Sequence, residues 1–364
     1  MNLSEKVANL PLTPGVYLMK DHLGHIIYVG KAKRLKKRVQ SYFYDNKGHS
    51  PKVKQLVRHI RDLDYIETDT EFEAFLLECR MIKDIKPMYN KKMKNPLAYT
   101  YITVRDKRPY AQLDISYEPE EDGQVFGPYT SRSTVERAIL GIKESQRILC
   151  SSPQAKSSLC LNHSLGLCIG MCGGGEALLK YNEIMQRIIG LLSGKDHSIL
   201  ADMEKKMEEA AQRFDFETAA KTRDYLTAVH ALLQKEAVIG FTGANNNIAV
   251  LERLDGVTLK LILIKGSNVL YAGKIAGGQA AAPLAAEIAA AIAGCFESAP
   301  ALAAETIGRD RIDEAQIIYS HLTHSSDSHL IIPDEWLLPE HSGQLQSAVR
   351  SLLASCAGWP SSLD

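Results

Sequence analysis

One carboxylate limits how a helix near the start of this chain can pack. The spacing of residues 71–86 predicts a helix, which Pro87 ends because proline cannot continue its hydrogen-bond ladder. The helical neighbours of Glu78, three and four positions away on both sides, are all apolar: Ala74, Phe75, Met81 and Ile82. A carboxylate in an apolar stripe costs several kcal/mol unless it is paired or holds a metal ion. The sequence therefore predicts a cation beside Glu78, either a buried lysine or a hard divalent metal such as Mg²⁺.

The residues before this helix predict a small α/β domain with a mixed sheet over residues 1–95. Residues 16–19 and 26–29 are β-type runs, and the turn-rich link between them suits a hairpin. The apolar residues that follow have helical spacing. Glu71 and Glu73 fall in the first turn of the later helix, where the helix dipole favours a negative charge.

The predicted hairpin carries a tyrosine on each strand. Tyr17 and Tyr28 can project onto one face of the sheet, and Lys31 and Arg38 follow within reach. Tyrosines on paired strands are also common as simple cross-strand packing, which is the alternative interpretation.

The charge distribution points in the same direction. Lys and Arg total 43 and so do Asp and Glu, yet residues 1–94 hold 19 of the former and 11 of the latter. A patch of one sign on one domain is typical of a protein that binds a polyanion, and a solvated helix face is the alternative. The residues predicted to contact DNA lie in the densest basic run: Lys33, Arg34, Lys36 and Lys37.

The rest of the chain divides into three predicted segments. Residues 96–175 form a linker region with two β-type runs, a turn at residues 126–129 and a loop rich in cysteine. Residues 176–237 are helical, and residues 238–364 form a small α+β segment that includes an alanine-rich helix. Because no segment resembles a signal peptide or a membrane span, we expect a cytoplasmic protein that does not enter a membrane.

Four cysteines are concentrated in 23 residues together with several glycines. In a cytosolic protein such a group is best explained by one metal ion or cluster. The spacing leaves zinc and iron–sulfur both open. The predicted ligands are Cys150, Cys160, Cys168 and Cys172.

The helical residues 199–235 predict an antiparallel hairpin. Apolar stripes lie on both sides of Phe214 and Phe216, and Asp215 between them is suited to cap the second helix. We expect the hairpin to expose both phenylalanines together with Met203 and Met207, as a partner-binding surface. A helical hairpin of the core is the alternative.

Taken together, these motifs resemble the UvrC family of excision-repair nucleases. The similarity covers residues 10–43, 76–79 and 87–90. It implies a GIY-YIG nuclease domain in which Glu78 is the single protein ligand of Mg²⁺ or Mn²⁺. The positions that match the active-site residues of the family are Tyr17, Tyr28, Lys31, Arg38, Tyr42, Glu78 and Asn90.

The resemblance also implies a mechanism of phosphodiester hydrolysis. Tyr17 or Tyr28 would deprotonate the attacking water, and Lys31 would lower the pKa of that phenol. Arg38 would hold the scissile phosphate, and a metal on Glu78 would stabilise the leaving oxygen.

The family resemblance extends to the later segments. It implies a [4Fe–4S] cluster on the four-cysteine loop, with Zn²⁺ as the alternative, and it makes the hairpin a UVR motif that pairs with UvrB. The residues assigned to that contact are Phe214, Phe216, Ala219, Ala220 and Arg223. One departure lies near the predicted site, because Arg80 stands where the family usually has asparagine, and we expect it to alter the grip on DNA.

The implied function is a single incision on the 3′ side of a lesion in duplex DNA, after UvrA and UvrB have located the damage. The family's second, RNase H-like nuclease would lie beyond Asp364, so this chain carries one predicted active site and we expect one type of cut. The shorter Cho-type homologues also lack the second nuclease, but they lack the UVR hairpin as well. The alternatives are a catalytically silent adaptor that binds UvrB and a stand-alone GIY-YIG nuclease.

Overall fold

The computed structural model describes residues 2–44, 50–90, 99–105, 110–119, 123–150, 159, 161–277, 280–298, 311–324 and 328–356. The chain divides into two compact units, one of residues 1–96 with 241–364 and the other of residues 97–240. The four-segment division predicted from the sequence stays a prediction. Within the ranges given above, no helix is both long and apolar enough to cross a membrane.

The N-terminal part of the first unit is a three-stranded sheet with helices around it. Its strands, in the spatial order β2–β1–β3, are β1 (Gly15–Lys20), β2 (Ile26–Ala32) and β3 (Asp62–Glu67). Its helices are α1 (Leu3–Ala8), α2 (Leu35–Phe43), α3 (Pro51–His59) and α4 (Glu71–Ile85).

The α/β class, the hairpin and the helices α2 and α4 confirm the prediction for this domain. The predicted mixed sheet is wrong for the strands described, because both of their pairings are antiparallel. Strand β3 runs in the same direction as β2, but β1 lies between them and pairs with both.

The C-terminal part of the same unit is a four-stranded antiparallel sheet. In the spatial order β10–β7–β8–β9 it contains β7 (Asn247–Arg253), β8 (Thr258–Lys265), β9 (Asn268–Ala276) and β10 (Ser328–Ile332). Its helices are α10 (Ala281–Glu297), α11 (Ile312–His324) and α12 (Ser342–Ser355). One face of this sheet packs on α10 and α12, and the α+β class of the segment is confirmed.

Helix α4 is buried on two sides. Ala74 and Ile82 pack on the first sheet. Phe72, Leu76 and Cys79 join a separate apolar cluster with β7, β8 and α11. The two stripes explain why all four helical neighbours of Glu78 are apolar. They also mean that the C-terminal sheet supports the helix that carries Glu78.

The second unit combines a small antiparallel sheet with five helices among its described residues. In the spatial order β5–β4–β6 its strands are β4 (Thr100–Arg105), β5 (Gln112–Ser116) and β6 (Gln124–Tyr129). Its helices are α5 (Arg132–Ser145), α6 (Leu161–Ser164), α7 (Gly175–Leu192), α8 (Ser198–Gln212) and α9 (Phe216–Gly243). The predicted turn at residues 126–129 is wrong, because these residues end strand β6, in which Phe126 and Tyr129 pair with β4 and the register shifts between them.

The helical hairpin forms as predicted. Phe214 takes a left-handed conformation (φ 60°) between α8 and α9. Asp215 then caps α9, since its Oδ1 accepts a hydrogen bond from the backbone N–H of Thr218 at 3.1 Å.

Candidate active site

The first two strands bring their tyrosines together as predicted. Tyr17 lies opposite Gly30 across the β1–β2 pair and is only 1% exposed. A Cβ atom on Gly30 would lie 2.3 Å from the Tyr17 hydroxyl oxygen, so glycine is required at this position. The ring centroids of Tyr17 and Tyr28 are 6.1 Å apart.

Tyr42 of α2 completes a group of three phenols. Its ring centroid lies 6.0 Å from that of Tyr17 and 6.3 Å from that of Tyr28. The hydroxyl oxygens of Tyr17 and Tyr42 are 2.9 Å apart, so one donates a hydrogen bond to the other. Burial raises the pKa of both Tyr17 and Tyr28, and the neighbouring phenols raise it further. Both groups are therefore protonated at neutral pH.

Arg38 is the cation that contacts this group of phenols. Its Nη2 donates to the Tyr42 hydroxyl at 3.4 Å, and its guanidinium carbon lies 5.2 Å from the centroid of that ring. The positive charge lowers the pKa of Tyr17 and of Tyr28 in opposition to burial. Because Arg38 remains exposed, its guanidinium is available to an anion.

Lys31 pairs with a carboxylate of α4. Its ammonium lies 2.8 Å from Oε1 of Glu71 and 4.3 Å from the centroid of the Phe75 ring. A carboxylate attracts an ammonium more strongly than a neutral phenol does. Arg38 is a cation that lowers the pKa of both phenols here, and the predicted action of Lys31 on the base stays a prediction.

Glu78 faces the same cavity from α4. Its Oε1 accepts the backbone N–H of Lys31 at 3.1 Å, whereas the ammonium of that lysine binds Glu71. Burial raises the pKa of Glu78, while the Lys31 N–H and the charges of Lys31 and Arg38 act to lower it. The ammonium of Lys31 therefore does not form the buried ion pair with Glu78 that was the alternative. A half-buried carboxylate that opens on a cavity has the oxygen donors a hard divalent cation prefers.

The side chain of Asn90 binds the backbone of β2. Its Oδ1 accepts the N–H of Val29 at 3.0 Å, and its Nδ2 donates to the carbonyl of Val29 at 2.9 Å. The amide thus acts like a further strand on the outer edge of β2. Since Val29 directly follows Tyr28, this contact fixes the strand that carries one of the phenols.

A cavity of about 730 Å³ connects these groups. Its lining includes all seven residues predicted for the active site: Tyr17, Tyr28, Lys31, Arg38, Tyr42, Glu78 and Asn90. Of the predicted DNA contacts, Lys33 lines the cavity, Arg34 and Lys37 are exposed near the start of α2, and Lys36 is half-buried.

Other residues of the cavity have no counterpart in the prediction. Glu71, Phe75 and Lys52 all line it. The sequence holds a signal for Glu71, because residues seven positions apart lie on the same face of a helix two turns apart. Glu71 and Glu78 have that separation. Arg80, in contrast, pairs with Glu314 of α11 at 3.1 Å, so its predicted effect on DNA has no support here.

The cysteine loop is described only in part. Cys168 and Cys172 are buried and Cys150 is half-buried, whereas Cys160 lies outside the described residues. Burial raises the pKa of Tyr110 and Tyr181, and nearby thiols of the loop raise it further. An isolated β-bridge between Ile148 and Cys168 brings the chain segment of Cys150 next to that of Cys168. Among the residues with described positions, no three His, Cys, Asp or Glu side chains are grouped so as to hold a metal ion.

The tip of the helical hairpin is exposed as predicted. Phe214 is 79% exposed and Phe216 is 65% exposed, with ring centroids 6.2 Å apart. Ala219 and Ala220 are half-buried, and the guanidinium of Arg223 is exposed and bonds to its neighbour in the sequence. The prediction that Met203 and Met207 are exposed is wrong, because both side chains pack in the apolar core of this unit.

An antiparallel sheet whose first two strands present tyrosines to a helix with an arginine and a helix with a glutamate is the arrangement predicted for a GIY-YIG domain. The UvrC-like GIY-YIG domain matches residues 13–91, the middle domain of the UvrC/Cho excinuclease matches residues 99–191, and the UvrB/uvrC motif matches residues 198–232. The chain belongs to the UvrC family.

Curated relatives agree with this assignment. The UvrABC system protein C of Moorella thermoacetica is 35% identical over 275 residues, which are 74% of this chain and 44% of the relative. That of Acetivibrio thermocellus is 32% identical over 331 residues, 88% of this chain and 53% of the relative, so its match continues past the UVR motif. The chain spans about half the length of the curated relatives it matches.

A solved structure shows similarity to the first domain. It is the GIY-YIG N-terminal endonuclease domain of UvrC from Thermotoga maritima, bound to its catalytic divalent cation, magnesium. The two are 39% identical, and the match covers 24% of this chain and 94% of that one with a TM-score of 0.22.

Proposed function

We propose that this chain is a metal-dependent DNA endonuclease of nucleotide excision repair, and that its GIY-YIG site makes the incision on the 3′ side of a lesion. One observation carries the proposal. Three phenols, a guanidinium and a half-buried carboxylate line a single cavity of about 730 Å³, next to exposed basic side chains. This set of groups suits the binding and hydrolysis of a backbone phosphate.

The residues divide the work by their positions. Arg38, exposed at the cavity, would bind the scissile phosphate and stabilise the charge that develops on it. Tyr28 is half-buried on the cavity, whereas Tyr17 is fully buried, so Tyr28 is the phenol that a water molecule can reach. As the phenolate it would accept the proton of that water while the water oxygen attacks phosphorus and the 3′-oxygen leaves.

Tyr17 and Tyr42 support this step by their hydrogen bond, which fixes the rings around Tyr28. Glu78 would hold the divalent cation, Mg²⁺ or Mn²⁺. Such a cation, when bound, supplies Lewis-acid stabilisation of the phosphate and of the leaving oxygen. A single protein carboxylate is enough for Mg²⁺, which commonly keeps several water ligands.

The partners follow from the surfaces. The exposed Phe214 and Phe216 support a contact with UvrB, which UvrA would load onto damaged duplex DNA. Lys33, Arg34, Lys36 and Lys37 would contact the phosphates of that duplex. A DNA substrate of this kind would place the protein in the bacterial cytoplasm.

The cysteine loop would hold a [4Fe–4S] cluster, with Zn²⁺ as the alternative ion. The β-bridge between Ile148 and Cys168, which brings Cys150 and Cys168 into neighbouring segments, supports a shared centre. Anaerobically purified protein is expected to be brown, with broad absorption near roughly 400 nm. Colourless protein that contains one zinc per chain would identify the ion as Zn²⁺ instead.

Incision of a defined substrate tests the main proposal. With UvrA, UvrB and Mg²⁺, the chain is expected to nick a duplex once, on the 3′ side of a bulky lesion. Glu78→Ala and Arg38→Ala should each lower the rate by about 100-fold or more and leave UvrB binding intact. Nicking that persists in both variants would overturn the assignment of the site. UvrB binding by a wild-type chain that never nicks would favour the silent adaptor, and nicking of undamaged DNA without UvrB would favour a stand-alone nuclease.

A further inference from the structure

A lysine of the C-terminal sheet reaches the start of helix α4. Nζ of Lys260, on β8, lies 2.7 Å from Oδ2 of Asp69 and 2.8 Å from Oε1 of Glu73. The Lys260 side chain is 5% exposed, and Lys274 on β9 adds a second contact to Asp69 at 2.6 Å. Burial alone would lower the pKa of Lys260, but its bonds to the two carboxylates raise it above the ordinary value. The lysine is therefore charged, and its position is fixed by both partners.

The glutamate that Lys260 binds also caps α4. Oε2 of Glu73 accepts the backbone N–H of Thr70 at 3.1 Å, and Oγ1 of Thr70 accepts the backbone N–H of Glu73 at 3.1 Å. This reciprocal capping box determines where the helix begins. Glu73 thus uses one oxygen for the cap and the other for Lys260, so the lysine acts on the first turn of the helix.

That first turn belongs to the cavity. Glu71 lies between the two capping residues and holds the ammonium of Lys31. Glu78 follows two turns later on the same face and lines the same cavity. A shift or fraying of the first turn would therefore move one carboxylate directly and the other through the helix.

We propose that Lys260 is a positioning residue for the nuclease site. By binding Asp69 and Glu73 it sets the first turn of α4, and through the helix it sets the places of Glu71 and Glu78 in the cavity. The inference rests on the proposed function, in which Glu78 holds the divalent cation. It makes the C-terminal sheet a working part of the nuclease.

Metal binding by the full chain tests the proposal without any turnover. Mn²⁺ alone is titrated by calorimetry, and Glu78→Ala defines the part of the binding that depends on the cavity. Lys260→Met is expected to raise the Kd of that part about tenfold or more, as loss of a residue that orients a metal ligand commonly does. Lys260→Arg, which keeps the charge, should recover most of the affinity. An unchanged Kd in a folded Lys260→Met chain would overturn the proposal.

The matched control is Lys265→Met on the same strand. Lys265 binds Asn247 at 2.7 Å and lies 3.5 Å from Asp334, both outside α4. Its loss should leave the Mn²⁺ affinity unchanged, and an equal loss in both variants would show a general weakening of the sheet and reject a specific role for Lys260. If Lys260→Met does not fold, Glu73→Gln replaces it, because the amide oxygen still caps Thr70 while the ion pair is lost. It should weaken Mn²⁺ several-fold, and an unchanged Kd would again reject the role.

Hydrogen exchange separates this proposal from the proposed function. The amides of the first two turns of α4 are expected to exchange faster in Lys260→Met than in Lys265→Met, in the absence of any metal. If wild-type protein showed no Mn²⁺ binding that depends on Glu78, the metal assignment would fail. The exchange rates would still decide about Lys260, since equal rates in the two variants would reject the positioning role.

Discussion

The ammonium of Lys31 lies 2.8 Å from the carboxylate of Glu71, inside the cavity that also holds Glu78 and Arg38. The pair neutralises a positive charge at the place where a DNA phosphate would bind. A phosphate that enters the cavity must compete with Glu71 for this lysine. If the cavity binds DNA as proposed, Glu71 would modulate the DNA affinity, and this can be measured.

Glu71→Gln should strengthen DNA binding, because it removes a negative charge and leaves Lys31 to the phosphate. We expect a Kd about threefold lower at low ionic strength, with the difference fading as salt increases. Fluorescence anisotropy in a Glu78→Ala background measures binding without cleavage. Weaker binding of the double variant than of Glu78→Ala alone would contradict this account.

The pH dependence of nicking should reflect a phenol with a raised pKa. Burial raises the pKa of Tyr28, and the reactive phenolate increases about tenfold per pH unit below that value. The logarithm of the single-turnover rate is therefore expected to rise with a slope near one from about pH 7 to 9. Tyr28→Phe should abolish this slope, whereas Tyr17→Phe should lower the rate and keep it. The reverse pattern would identify Tyr17 as the base.

Gly30→Ala should damage the site through Tyr17. The new Cβ would lie 2.3 Å from the phenol oxygen of a fully buried ring, so strand and ring cannot keep their places. Overpacking of this kind lowers the free energy of unfolding by about 1–3 kcal/mol. We expect a lower midpoint in urea unfolding and a large loss of nicking. Gly256→Ala is the control, since nothing lies within 4 Å of its added Cβ; similar losses in both variants would argue against a specific clash.

Asn90→Asp separates hydrogen bonding from size at the edge of β2. The aspartate can still accept the Val29 N–H, but it cannot donate to the Val29 carbonyl, which would then face a carboxylate oxygen. An unmatched buried acceptor costs about 1–3 kcal/mol. The variant should unfold at lower urea concentration and nick more slowly. Wild-type stability and rate in Asn90→Asp would show that the paired amide contributes little.

Replacing Phe214 and Phe216 with alanine should weaken UvrB binding and leave the fold intact. Both rings are exposed, so the free energy of unfolding is expected to change by no more than about 0.5 kcal/mol. Loss of two aromatic anchors should raise the Kd for UvrB about tenfold or more. Leu179→Ala, another exposed apolar side chain at 66%, is the control in the same surface plasmon resonance assay. Equal affinity of the Phe214, Phe216 variant and wild type would remove the hairpin tip from the interface.

Local patterns predicted much of this molecule. Short runs of β-type residues beside a turn-rich link predicted β1 and β2, and the apolar spacing predicted α2 and α4. Glu78 pointed to the cavity because a carboxylate among apolar neighbours is costly unless a cation or a polar group binds it. In contrast, β3 carries an irregular mixture of exposed and buried residues, including an exposed Tyr65, so no alternation marks it as a strand.

Contacts distant in sequence were beyond such patterns. Whether the ammonium of Lys31 binds Glu71 or lies beside a phenol depends on how α4 packs against β2. Spacing along the chain does not specify that packing. The burial of the two sides of α4 by different sheets is of the same kind. Phe72, Leu76 and Cys79 form a helical stripe of their own, and a search for two stripes on one helix would have found it.

Helix α4 also sets a limit on how this chain can diverge. A helix packed between two sheets has few positions that tolerate substitution, because a change of side-chain volume on either side disturbs an apolar core. Drift in the C-terminal sheet must therefore remain compatible with the helix that carries Glu78, encoded nearly two hundred positions earlier, and saturation mutagenesis should find that helix far less permissive than α2.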